Sequence, residues 1–279
     1  MKTASKVLAL LALSATFAAG LSAADAKLIR FGVSPGPYGD LITKAIKPSL
    51  EKKGYKVELV TFQDWVQPNL ALANGETEAN LFQHGLYLAK FSKDHNLQLS
   101  PTILIPTAGL GIYSEKVKSL DQLKKGDEVT LPLDPTNLAR ALRFLQKVGL
   151  VKLKPEIDPT KVTDRDIAEN PRGLKFVPTE AAQIPRTLGS ATLAVASGNF
   201  AIAAGLKLSD ALVLEELDDS IKITLAVRTA DLDQQWVKDA RAAIESEAFR
   251  DAVENPANIF SSFQKPEWYK AKWGKPAAK

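Results

Sequence analysis

The stretch Val129–Val148, VTLPLDPTNLARALRFLQKV, reads as a strand, a turn and a helix in immediate succession. Val129–Leu133 is a short apolar run of the kind a buried strand needs. Asp134-Pro135-Thr136 is turn and cap chemistry: Asp134 or Thr136 can accept the free N–H groups of a starting helix, and Pro135 suits its first turn. Asn137–Val148 then carries the helix. The same unit recurs on both sides.

Upstream, LIRFGV (Leu28–Val33) is a β-branched apolar run, followed by the turn residues SPGPYGD. Leu41–Lys53 has Ile42, Ala45, Ile46 and Leu50 at helical spacing, with Gly54 as the stop. Val57–Phe62 and Trp65–Asn74 repeat the strand–helix pair, closed by Gly75. A short strand is expected around Glu78–Phe82, further strands at Ile103–Ile105 and Gly111–Tyr113, and a helix start at Ser119–Leu123. Downstream, strands are expected at Leu174–Pro178, Ala191–Ala196 and Ile223–Arg228. The longest helix is expected from about Gln234 to Glu254, with Val237, Ala240, Ile244 and Ala248 on one stripe. Strands separated by helices predict an α/β fold with parallel-rich sheets.

The chain has 279 residues. Its first 26 place Lys2 and Lys6 before an apolar run from Val7 to about Ala19, then Ala24-Asp25-Ala26, the pattern a signal peptidase reads. The apolar part is too short to span a bilayer, so residues 1–26 are expected to be a cleaved secretory signal. The remainder exceeds what one open sheet needs, and two lobes are the economical solution. Lobe I is expected to be discontinuous, residues 27–107 plus 224–279, and lobe II to be residues 108–223. The crossings fall near Pro106–Gly111 and Ser220–Thr224. Two crossings form a hinge, and a hinge between lobes leaves a cleft for a ligand.

Composition narrows the chemistry. The 36 basic and 32 acidic residues leave a net charge of +4, scattered along the chain, which does not suggest a nucleic-acid partner. Cysteine is absent, which removes disulfides, thiolate metal sites, cysteine nucleophiles and attachment of lipid to an amino-terminal cysteine. His84 and His95 are the only histidines, so a histidine-rich metal centre has little to draw on. No G-x-S-x-G, H-E-x-x-H, P-loop or strand-associated G-x-G-x-x-G is present, and GVSPGPYG fits neither phosphate motif. No metal, cofactor or catalytic residue is expected. The chain reads as a binding protein rather than an enzyme.

Two features carry that reading. A helix start such as Asp134–Asn137 attracts a carboxylate, and Arg140, about one turn in, can clamp it with two hydrogen bonds. A surface arginine after an ordinary cap would present the same residues. In Asn80–Leu88, NLFQHGLYL, aromatic and polar groups cluster at a strand-to-helix junction, where doubly wound sheets place their crevice. Phe82, His84 and Tyr87 can wall an apolar slot there, with Trp65 on one side; as core aromatics and a core histidine they would read alike. The aromatic and basic tail from Pro266 is expected to dock on the first lobe.

The segments VTFQDWVQPNLALANGETEANLFQHGLYL (Val60–Leu88), LPLDPTNLARALRFLQKVGLVKL (Leu131–Leu153) and TLAVASGNFAIAAGL (Thr192–Leu206) resemble the NlpA lipoprotein family, which contains the methionine-binding proteins of bacterial ABC importers. The FQH-x-x-YL and DPTN-x-x-R elements are its specific marks. The resemblance implies a two-lobe periplasmic-binding-protein fold of type II kind, closing on methionine or a related small amino-acid-like ligand and delivering it to a permease and ATPase complex in the inner membrane. It puts the aromatic pocket on Trp65, Phe82, His84 and Tyr87 and the carboxylate clamp on Arg140, with Asn137 beside it. Two ligand-holding asparagines of the family fall on Ser197 and Ile223 here, with Asn199 placed to compensate. Those departures leave another apolar amino acid, a methionyl dipeptide or a small organic anion as alternative ligands, and a periplasmic hydrolase on the same scaffold as a remoter one. Family members are usually anchored through a cysteine after the signal; with none here, a freely soluble periplasmic protein is expected.

Overall fold

Parallel pairing of β1 (Lys27–Val33) with β2 (Tyr55–Thr61) begins the first sheet, in register from Lys27 opposite Tyr55 to Val33 opposite Thr61. The structure is a computed structural model that describes residues 27–274 apart from 156 and 159. The expected signal segment, 1–26, lies outside the described residues. Between β1 and β2 the chain forms α1 (Pro37–Leu41), a π turn (Ile42–Ile46) and α2 (Lys47–Glu51). The helix starts earlier than its apolar stripe suggests because Pro37 occupies its first turn. The π turn precedes Pro48, which has no N–H to donate and whose ring crowds the carbonyl four residues back.

α3 (Gln67–Ala73), β3 (Ala79–Asn80), α4 (Gly85–Asp94) and β4 (Leu99–Leu104) complete the first run. The chain then crosses to a second sheet through β5 (Leu110–Tyr113). There follow β6 (Glu128–Pro132), α5 (Pro135–Lys147), the paired β7 (Lys152–Leu153) and β8 (Ile167–Glu169), β9 (Lys175–Thr179), β10 (Leu193–Ser197), α6 (Gly198–Ala203) and β11 (Val213–Leu214). The return leads into β12 (Thr224–Arg228), α7 (Gln235–Ile244), α8 (Glu247–Glu254) and α9 (Glu267–Trp273). The first sheet has the order β2-β1-β3-β12-β4 and the second β11-β5-β10-β6-β9.

Both sheets are mixed. β12 runs antiparallel to β3 and β4, and β5 antiparallel to β10 and β11. These are the strands on which the chain enters each sheet from the other. With no intervening α-helix to turn the chain round, the entering strand opposes its neighbours. Each sheet is covered by its own helices. Phe31, Ile46, Leu225 and Val237 meet in the first core, and Leu131, Leu142, Leu145 and Val195 in the second, all fully buried or nearly so. Burying one such side chain contributes roughly 1.5–3 kcal/mol.

The single helix expected over Gln234–Glu254 is two. Ser246 Oγ donates to the Ala243 carbonyl (2.7 Å) and accepts the Phe249 N–H (3.2 Å), ending α7 and capping α8. The helix start at Ser119 amounts to one 3-10 turn, Leu120–Gln122. The tail docks on the first sheet: Trp268 Nε1 donates to the Leu104 carbonyl (2.9 Å), Tyr269 is buried, and the Arg250 guanidinium lies 4.8 Å from the Trp273 ring centre.

One residue ties both crossings together. Gln264 exchanges backbone hydrogen bonds with Thr107 on the first (both 3.0 Å). Its side chain donates to the Glu215 carbonyl (2.7 Å) and accepts the Leu217 N–H (2.8 Å) on the second.

Candidate functional site

The carboxyl ends of β3, β6 and β10 each pass into a helix, and all three junctions face one cavity between the sheets. At the first junction His84 is the cap of α4, its Nδ1 accepting the Tyr87 N–H (3.1 Å). That bond assigns the ring proton to Nε2, which donates to Asn137 Oδ1 on the opposite lobe (3.1 Å). The ring is 3% exposed, and burial above all, with the Arg140 charge adding to it, pushes its pKa down to about 3. His84 is neutral throughout the ordinary pH range.

Around it stand the aromatics. Tyr87 Oη donates to the Trp65 carbonyl (3.0 Å), and the two rings meet edge to face with centroids 6.1 Å apart. Phe82 packs edge to face on Tyr87 at 6.4 Å. Trp65 also stacks on Phe200 from the other lobe, centroids 5.2 Å apart and planes at 26°. These contacts fix rotamers by packing, which keeps the slot shaped before a ligand arrives.

At the second junction Asp134 caps α5, its Oδ1 accepting the Asn137 N–H (3.0 Å) while Asn137 Nδ2 donates to both carboxylate oxygens (3.1 and 3.2 Å). Burial raises the Asp134 pKa, and the Asn137 hydrogen bonds oppose the rise. One turn on, Arg140 is 7% exposed. Its guanidinium is already engaged. Nε donates to Glu215 Oε1 (3.0 Å) and Oε2 (3.1 Å), and Nη2 donates to Glu215 Oε2 (2.6 Å). Glu215 Oε2 takes the Leu110 N–H as well (3.0 Å). Nη1 makes no hydrogen bond among the described residues.

At the third junction Ser197 ends β10 and Asn199 lies in the first turn of α6. Asn199 Nδ2 donates across the cleft to the Pro35 carbonyl (3.2 Å). The backbones approach closely here. Gly36 has φ of +122°, and a Cβ on it would stand 2.5 Å from the Asn199 carbonyl oxygen. A Cβ on Gly198 would stand 2.6 Å from that of Ala108. Ser197 Oγ is buried without a partner.

All the candidates read from the sequence, Trp65, Phe82, His84, Tyr87, Asn137, Arg140, Ser197 and Asn199, therefore line the same cavity, and Ile223 does so too. The cavity is small. Its volume is about 30 Å³, where one buried water needs roughly 10–15 Å³ by the same measure. That suits a molecule of a few heavy atoms across, not a polymer. His95 stays outside, stacked on Phe91 at 4.1 Å. Among the described residues no group of three histidine, aspartate or glutamate side chains is placed to hold a metal ion.

Sequence reasoning missed Glu215, Phe200, Tyr38 and Thr107. Tyr38 Oη accepts the Ala108 N–H (3.2 Å), and Thr107 Oγ1 accepts the Ile223 N–H (2.9 Å). Glu215 is 75 residues from Arg140 and its surroundings, LVLEELDD, look like an ordinary solvated edge. No local signal marks it.

Two sheets, two crossings without an α-helix and a cavity between them define a two-lobed binding protein of the α/β class. The chain belongs to the NlpA lipoprotein family, whose model matches residues 29–268. The D-methionine-binding lipoprotein MetQ of Salmonella typhi is 40% identical over 265 residues, covering 92% of this chain and 96% of that one. The protein of the same name from Escherichia coli K12 is 38% identical over the same coverage. Among solved structures, a nutrient binding protein from Burkholderia cenocepacia bound to methionine has TM-score 0.78 at 38% identity, covering 81% of this chain and 95% of that one. A periplasmic substrate-binding protein of an ABC transporter from Coxiella burnetii has TM-score 0.78 at 36% identity, covering 85% and 99%.

One expectation is overturned. A protein without a lipid anchor was expected from the missing cysteine, but the family and its curated members are named lipoproteins, which points to a lipid-anchored protein. A single absence was too narrow a ground against a family match over residues 29–268.

Proposed function

We propose that the protein is the substrate-binding component of an ABC importer, capturing methionine or a related small amino-acid-like molecule in its cleft and passing it unchanged to a permease and ATPase complex in the inner membrane. In this reading residues 27–107 plus 224–279 form one lobe, 108–223 the other, and the crossings at 105–109 and 215–223 are the hinge. Trp65, Phe82, His84 and Tyr87 wall the apolar part of the ligand, and Arg140 Nη1 takes its carboxylate. Asn137, Ser197 and Asn199 supply the polar remainder. No nucleophile–base pair is needed, since the protein binds and releases.

The observation that carries this reading is the meeting of an aromatic wall from one lobe and a buried guanidinium from the other in one cavity. Methionine-sized burial contributes roughly 1.5–3 kcal/mol and each shielded ionic hydrogen bond about as much. Micromolar affinity needs about 8 kcal/mol, so lobe closure and backbone N–H groups must supply the rest.

The test is Arg140→Lys. It keeps the charge beside Glu215, so the fold survives, but loses the planar fork. Calorimetric titration with methionine should show affinity at least about tenfold weaker, with little change in melting temperature. Unchanged affinity would remove Arg140 from the site.

A further inference from the structure

Two side chains part the cavity from a second hollow. Trp65 and Tyr87 line both spaces, whereas Gln63, Leu133 and Phe200 line the outer one and not the inner. The outer hollow is the larger, about 290 Å³ against about 30 Å³ by the same measure. It draws on both lobes: Gln63 follows β2, Leu133 joins β6 to α5, and Phe200 lies in the first turn of α6.

The two shared side chains are held differently. Tyr87 is fixed, because its Oη donates to the Trp65 carbonyl and its ring stacks on Phe91 with centroids 5.8 Å apart and planes at 21°. The Trp65 indole makes no hydrogen bond; its Nε1 is buried without a partner among the described residues. The residue lies between β2 and α3, outside any helix or strand. Asp64 Oδ1 steadies the backbone just beyond it by accepting the Val66 and Gln67 N–H groups (2.7 and 2.8 Å). The indole itself is kept in place by packing, with Tyr87 edge on and Phe200 stacked. Turning Tyr87 breaks a hydrogen bond. Turning Trp65 into the outer hollow breaks none, and it returns a buried donor to water. What opposes that turn is the stack on Phe200, which is present only while the opposite lobe is near.

Resting on the proposed cleft reading, we propose that the ligand enters and leaves past the Trp65 ring by way of the outer hollow, and that Phe200 is the positioning residue that holds this ring shut. Phe200 stands outside the ligand cavity and acts through Trp65. When the lobes part, the stack is lost and the indole is free to swing.

The test separates the rates of binding and release. Full-length protein, unfolded and refolded to strip carried ligand, is mixed with methionine in stopped-flow fluorescence, and calorimetry gives the affinity. Phe200→Ala is expected to release methionine about tenfold faster, with the binding rate changed by less than about threefold. Phe200→Tyr keeps the ring and should release it within about threefold of the wild-type rate. The route is tested by filling the hollow. The chain has no cysteine, so Leu133→Cys, at a side chain 49% exposed, takes a bulky maleimide at one place only. That label should slow binding and release together, each at least about fivefold, with affinity nearly unchanged, because an obstructed path raises the barrier from both sides. The same label on Ile259→Cys, which lies outside both spaces, should change neither rate. If folded Phe200→Ala releases methionine at the wild-type rate, or weakens it only through slower binding, the inference falls. If the label at position 133 leaves both rates unchanged, the ligand takes another path and the inference falls as well. Should Phe200→Ala not fold, the labelled protein decides alone. In each of these cases methionine still binds and the cleft reading stands. If methionine does not bind the wild type below the millimolar range, the methionine-like reading and the inference fall together.

Discussion

The two walls of the cleft solve the burial of polar groups in opposite ways. The wall around His84 is neutral. Its imidazole is held uncharged, both ring nitrogens are paired with uncharged partners, and the surrounding aromatics pack on one another. The wall around Arg140 is ionic, a guanidinium and a carboxylate 7–8% exposed on their side chains and joined by three hydrogen bonds. A neutral wall costs little to keep dry and adapts to what leans on it. An ionic wall is expensive unless complete, and once complete it holds one geometry. The lobe that brings the charge also brings its countercharge, so the empty cleft is not left with a bare buried cation.

The harshest way to break the ionic wall is Glu215→Ala. It strands the Arg140 charge, and the expected loss is about 3–5 kcal/mol of stability, read by urea denaturation. A loss below 1 kcal/mol would show that water reaches the pair. Arg140→Ala should destabilise in the same manner, which makes it a poor probe of ligand binding alone.

The neutral wall is sharpened by pH. The folded pKa of His84, about 3, lies below the ordinary value of 6.5. Burial is the main cause; Arg140 and Arg143 push the same way, and Asn137 and Asp218 push against it. Below pH 6.5 the unfolded chain binds a proton that the folded chain refuses. The contribution of His84 is therefore whole above about pH 6.5 and is lost as pH falls from there toward 3, at up to about 1.4 kcal/mol per pH unit. Between pH 7 and pH 5 the wild type should lose about 2 kcal/mol more than His84→Asn, whose amide can still cap α4. Equal losses in the two proteins would mean that the ring is protonated in the folded state.

The smallest expected effect belongs to Trp65→Ala. The stack on Phe200 and the edge contact with Tyr87 are worth about 0.5–1.5 kcal/mol each. Ligand affinity should fall by about tenfold while stability changes by about 1 kcal/mol, measured by titration and melting. A fall in stability without a fall in affinity would place Trp65 in the lobe contact rather than in the ligand slot.

Much of this was readable residue by residue. Asp134 caps the helix that begins at Pro135, as the DPTN run proposes, and His84 caps the one before it, though its ring does so where a hydroxyl or carboxylate is usual. The helix over Gln234–Glu254 shows the limit of periodicity. Its apolar stripe continues across Ser246, but a side chain that can satisfy both the ending and the starting helix divides it. Glu215 shows the limit of local reading altogether, because a carboxylate in an acidic run carries no mark of the partner it will meet.

The sequence by itself determined the alternation of strands and helices, the junctions that carry aromatic and polar groups, and membership of a family, because these depend on spacing within a few residues or on a match along most of the chain. Tertiary structure alone decided that Arg140 is half spent on Glu215, that no carboxylate among the described residues lines the cavity, and that Gln264 ties both crossings. Those facts depend on which distant groups come within about 3 Å of one another, and at that range one hydrogen bond decides whether a buried charge is available to a ligand or already satisfied.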